Sequence, residues 1–64
     1  MAEDLPFRIE LWNDGWTKRL ETLAAAADFL TAKAAFEAAV ERRPGEAVML
    51  SDRARIILRS KAVR

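Results

Sequence analysis

From Thr17 to Arg43 the chain contains neither proline nor glycine and is rich in alanine. Helix propensity alone makes this stretch one long helix. Its periodicity points elsewhere. At about 100° per residue, Phe29, Ala32, Phe36 and Val40 gather on one side, while Leu20, Leu23, Ala27, Leu30 and Ala34 gather on nearly the opposite side. A surface helix carries one apolar stripe, not two opposed ones. Either the helix is buried on both sides or the segment is two elements. Asp28 suits the N-cap of a helix over 29–43, with Phe29, Phe36 and Val40 as its core face. Arg42 and Arg43 complement the C-terminal end of its dipole, and Pro44-Gly45 stops it. Residues 17–26 then form a strand. Leu20 and Leu23 fall on opposite faces of that strand unless a bulge intervenes.

The flanks read as strands. Phe7-Arg8-Ile9-Glu10-Leu11-Trp12 alternates with period two, placing Phe7, Ile9 and Leu11 on one face and Arg8, Glu10 and Trp12 on the other. Asn13-Asp14-Gly15 is a turn signal. Ala47-Val48-Met49-Leu50 and Ala54 to Arg59 are apolar runs separated by Ser51-Asp52-Arg53, short enough for a tight hairpin. A turn at Asp52-Arg53 sets Leu50 opposite Arg55, Met49 opposite Ile56 and Val48 opposite Ile57. The expected fold is α+β: a β-hairpin, one helix and a second β-hairpin, with the helix packed on one face of an antiparallel sheet. The alternative is a strand, a long helix over 17–43 and a C-terminal hairpin. Either is a single domain over residues 1–64, with an ordered core over about 6–60.

The segments "FRIELWNDG", "ETLAAA", "AKAAFEAAVERRPG" and "VMLSDRARII" together resemble a group of small uncharacterised proteins of α-proteobacteria. The resemblance spans residues 7–57 and implies a strand over 18–23. Members of the group carry Gly near position 53, where this chain has Arg53. No activity comes with the resemblance.

Composition removes most chemistry. The chain has no Cys and no His, so disulfides, thiolate chemistry and the usual zinc sites are absent, as is the side chain that titrates nearest neutral pH. Neither a glycine-rich phosphate loop nor a nucleophile–base pair is present, and no cofactor is implied. Glu37 and Glu41 stand four apart on the expected helix, but Lys33 precedes them by one turn, and the set reads as a solvated face. Asn13-Asp14-Gly15 lacks the further spaced ligands of a calcium loop. The expectation is a non-enzymatic protein without metal or cofactor. No apolar run reaches the roughly 18 residues of a membrane span, and Met1-Ala2-Glu3-Asp4 is acidic where a signal peptide is basic. A cytoplasmic location is expected.

Binding is the remaining class. The net charge of +1 is uneven: residues 1–16 hold four acids and one base, whereas 53–64 hold five bases and no acid. With Ala47, Met49, Ile56 and Leu58 turned to the helix, Val48, Leu50 and Ile57 form an exposed apolar patch. Arg55, Arg59 and Lys61 flank it and Trp12 adjoins it. Lys61 to Arg64 read as a frayed tail. Exposed apolar patches mark interaction surfaces, and small domains gain by closing them against a copy of themselves. The leading expectation is therefore an interaction module that forms a homodimer, or binds another protein, through the outer sheet face. The alternative is a small nucleic-acid-binding module using the basic C-terminal strand, since sheets with exposed aromatics and arginines stack bases. Against it stand the acids near the N-terminus and a pI of about 8.3.

Overall fold

The computed structural model describes residues 5–60. Met1 to Asp4 and the expected tail, Lys61 to Arg64, lie outside the described residues. The elements are β1 (Phe7–Trp12), β2 (Arg19–Ala26), α1 (Phe29–Arg42), β3 (Ala47–Asp52) and β4 (Arg55–Arg59). The four strands form one sheet in the order β2-β1-β3-β4, every neighbour antiparallel. The helix packs across β1, β2 and β3 on one face. This is the expected α+β hairpin–helix–hairpin, and the long-helix alternative is not adopted.

The second of the two opposed stripes is split, with Leu20 and Leu23 in β2 and Leu30 and Ala34 on the exposed side of α1. Leu20 and Leu23 lie in β2, which meets β1 with two register shifts, between Ile9 and Glu10 and between Leu11 and Trp12. Leu23 is the extra residue of the first and Leu20 of the second, since Ala24 pairs with Ile9, Thr22 with Glu10, Glu21 with Leu11 and Arg19 with Trp12. Each bulge inserts one unpaired residue and resets the alternation. Leu23 thereby packs against the core, while Leu20 stays 54% exposed.

Asp28 follows β2 and caps α1. Its Oδ1 accepts from the Thr31 amide at 2.8 Å and its Oδ2 from the Thr31 hydroxyl at 3.1 Å, which satisfies one of the helix's orphan donors. The backbone bond from Thr31, helped by its hydroxyl, holds the Asp28 carboxyl below its ordinary value. Ala32 and Phe36 are the helix's buried residues, and Val40 packs beside them. Phe29, expected in the core, sits at its rim, edge-on to Phe7 with ring centroids 6.3 Å apart. The Arg43 amide reaches the Ala39 and Val40 carbonyls, and Gly45 turns the chain away at φ 83°.

The core joins Ile9, Ala26, Ala32, Phe36, Val48 and Leu50, with Phe7, Leu11, Ile57 and Leu58 packed against it. Ile9, Val48 and Leu50 are fully buried, each stabilising by roughly 1.5–3 kcal/mol. This corrects the expected orientation of β3. Val48 and Leu50 face the helix, and Met49 faces away. The cause is the pairing with β1, which sets Val48 opposite Leu11 and Leu50 opposite Ile9, in line with that strand's apolar face. A strand displaced by one residue turns every side chain over.

The last hairpin is also shifted. Asp52 pairs with Arg55, leaving Arg53-Ala54 rather than Asp52-Arg53 as the turn, and Arg53 takes the left-handed φ of 56° there. Ser51 then faces Ile56 and Leu50 faces Leu58, with Ile57 as an unpaired bulge residue between them. Ile57, expected on the outer patch, packs against the core instead. Ile56, expected inside, is 47% exposed.

Candidate functional site

With the helix on one face, the other face of the sheet is left open. It carries Arg8, Glu10 and Trp12 from β1, Ala47, Met49 and Ser51 opposite them on β3, and Ile56 and Arg59 on β4. Of the expected interaction residues, Trp12 and Arg59 are on this face, while Val48, Leu50 and Ile57 belong to the core side. Arg55 stands at the hairpin end, ion-paired to Asp52 at 3.7 Å, and does not line the central depression.

That depression has a volume of about 320 Å³ and lies between the β1–β2 loop and the β3–β4 turn. Trp12, Trp16, Arg59, Arg53 and Ile56 surround it, with Glu10, Arg19, Met49, Ser51 and Ala54 completing the lining. Met49 is only 4% exposed although it points away from the helix core. The outer face is therefore no bare apolar patch. It is a second, thinner layer of aromatic and long polar side chains over β1 and β3.

Trp16 reaches this face because of Asn13. The Asn13 amide oxygen accepts from the Thr17 and Lys18 amides at 2.9 and 3.1 Å, and its nitrogen donates to the Thr17 hydroxyl at 2.9 Å. The Trp16 amide donates to the Asn13 carbonyl at 3.0 Å, closing a turn over residues 13–16. The residue in the left-handed region is Trp16, at φ 59°, and not Gly15. A bulky residue pays of order 1–2 kcal/mol for that conformation, and such strain concentrates at functional positions. The Arg59 guanidinium lies over the Trp16 ring, 5.1 Å from its centroid, a cation–π geometry.

Glu10 is the one carboxylate of the lining. It is 6% exposed, with Oε1 accepting from Trp12 Nε1 at 3.2 Å and Oε2 from Arg19 at 3.2 Å. Both oxygens are thus engaged. Arg53 reaches Asp52 only at 3.8 Å and with its side chain 77% exposed, where such pairs are weak. Arg59 has no ion pair among the described residues. Three arginines therefore stand around one carboxylate whose charge is already met by Arg19.

A second concavity, about 600 Å³, lies on the helix side between β2 and α1. Ala35, Ala38 and Ala39 leave it open, and its rim mixes Glu21 and Glu46 with Arg42 and Arg43. It gathers no convergent polar groups of one sign.

Among the described residues no group of three acids is placed to hold a metal ion, and no helix is long and apolar enough to cross a membrane. The sequence foretold the outer face through Trp12 and Arg59. It also set Glu10 beside Trp12, but it did not place Trp16, Arg19 or Met49 there, because the loop that lays Trp16 over the sheet is set by the Asn13 side chain rather than by a periodicity. The chain matches no family model, no curated protein and no solved structure.

Proposed function

We propose that the chain is a non-enzymatic interaction module whose binding surface is the outer face of its sheet, and that the partner of this surface is anionic. The observation that supports this is the charge around the depression: three arginines, one without an acidic partner, against a single carboxylate already bonded on both oxygens. Binding across the face, rather than at the sheet edges, is favoured by the edges themselves. β2 is bulged twice, and β4 is five residues long with an arginine at each end, features that blunt strand addition.

Self-association through the same face is the other protein-interaction reading. A two-fold dimer sets a patch against itself. Arg19, Arg53 and Arg59 of one copy would then face those of the other across a thin apolar layer, a like-charge arrangement that costs affinity. The positive field weighs toward a partner of opposite sign.

The test is the solution mass by light scattering, together with retention on immobilised heparin. A monomer mass at all concentrations, with retention that Arg59→Glu reduces, is the expected result. A concentration-dependent dimer that Arg59→Glu leaves intact, with no heparin retention, overturns the reading.

A further inference from the structure

Resting on that reading, we infer that the anionic partner is a single-stranded nucleic acid, bound across the outer face with a base against Trp16 and Trp12 and its phosphates on Arg59, Arg53 and Arg19. The inference comes from the juxtaposition of rings and guanidiniums, not from the charge alone. An acidic peptide requires only the arginines. This face also holds two indoles beside the same depression, and every base has a π-face to set against a ring.

One of those indoles is pre-positioned. Trp16 is fixed on one side by the Asn13-bonded loop and on the other by Arg59 at 5.1 Å, and it keeps a left-handed φ of 59°. A ring held before binding loses little freedom on binding, which is the general route to affinity on a small surface. The depression is open and bounded by two loops at opposite ends of the strands, the β1–β2 loop and the β3–β4 turn. That shape takes an extended chain laid over it rather than an enclosed small molecule.

Single strands are favoured over duplex for two reasons. Stacking needs bases that are splayed from their partners. The basic surface is also small: three arginines line the depression, and the whole chain carries a net charge of +1. Duplex recognition by charge alone draws on many more phosphate contacts, commonly six to ten in strong binders. With about three phosphates neutralised, log K falls with log salt at a slope of about −2 for a single strand. Affinity then weakens about 20-fold between 50 and 200 mM salt.

The chain has two tryptophans and no tyrosine, so its own fluorescence reports contact at this face. The experiment titrates the full chain at 50 and 200 mM salt with a 12-mer oligothymidylate, the matching oligouridylate, a 12-base-pair duplex and poly-glutamate. Expected are quenching by the single strands, weaker binding of duplex and poly-glutamate, and the salt slope above. Arg59→Gln is expected to weaken single-strand binding severalfold and Trp16→Leu about tenfold, while Leu30→Ala, on the exposed outer side of the helix, leaves it unchanged. Circular dichroism checks that each variant is folded. Should Trp16→Leu not fold, Arg59→Gln and the salt slope carry the test.

Poly-glutamate binding as tightly as the single strands overturns the nucleic-acid assignment and leaves the anionic-partner reading standing. Tighter binding of duplex than of single strands also overturns the assignment. Absence of binding to every polyanion at 50 mM salt overturns both.

Discussion

The two faces of β1 and β3 are built from alternate residues of the same strands, and they differ in kind. Toward the helix stand Ile9, Leu11, Val48 and Leu50, with nothing polar among them. Away from it stand Glu10, Trp12, Met49 and Ser51, overlaid by Trp16 and Arg59. Glu10 and Ser51 are buried too, at 6% and 5% exposed, within the range of the core residues Ala26 and Phe36. Burial alone therefore does not separate the core face from the outer face that we propose binds a partner. Chemistry does: the inner layer is sealed by apolar contact, and the outer layer is tied together by directional bonds from Glu10 and a ring–cation contact. Such bonds can be exchanged for a ligand's without opening the core.

The largest expected effect tests the inner side of that contrast. Leu50→Ala is expected to cost about 2–5 kcal/mol, a large share of the stability of a chain this small. Ile56→Ala, one strand away on the outer face, is expected to stay within about 0.5 kcal/mol. Equal shifts in chemical denaturation midpoint for the two variants would erase the distinction between the faces. Of middle size is Glu10→Ala, which leaves Trp12 Nε1 and the Arg19 guanidinium without their acceptor. A loss of about 1 kcal/mol is expected, at the low end of the range for an abandoned buried partner, because the Arg19 side chain is 56% exposed and can turn to water. The same change removes the single carboxylate of the depression, so retention on heparin should rise while stability falls. Retention that falls along with stability would show that Glu10 serves the binding face by shaping it.

The smallest effect concerns the helix that makes one face inner. The Asp28 carboxyl is held below its ordinary value by its bonds to Thr31. A depressed folded-state value gives stability that is present above the unfolded value and lost as pH falls through the folded one. Asp28→Asn keeps an acceptor at the cap and removes the proton equilibrium. The wild-type chain should therefore lose more stability than the Asn variant on acidification below about pH 4, and the two should run parallel above about pH 5. Parallel curves through the acid range would show that the cap bond carries no charge dependence.

Much of this was legible in the sequence, and what was hidden has physical causes. The alternation of β1, the Asp28 cap, the Pro44-Gly45 stop and the split of the middle segment follow from local rules, and the structure agrees with each. The faces of β3 were hidden, because Ala47 to Leu50 are all apolar and offer no alternation to read. Inferring them from β4 misled, since the bulge at Ile57 resets that strand's phase between Ile56 and Leu58. The Asn13-Asp14-Gly15 turn was visible, but not that Trp16 rather than Gly15 would take the left-handed conformation. At the other turn, Arg53 occupies φ 56°, a conformation glycine adopts at little cost.

The strand order β2-β1-β3-β4 places a seam down the middle of the sheet. Among the described residues, those before Pro44 form a hairpin and its helix, and those after Gly45 form the other hairpin. The two halves meet where β3 lies against β1 and the helix, where the Arg53 amide donates to the Pro6 carbonyl, and where Arg59 lies over Trp16. The loop at 43–46 is thus the natural cleavage point for a split protein. Two separately made fragments, each closed by local pairing and each presenting one side of the seam, would regain the outer face only on reassembly, since Trp12 and Trp16 come from one fragment and Met49, Ile56 and Arg59 from the other.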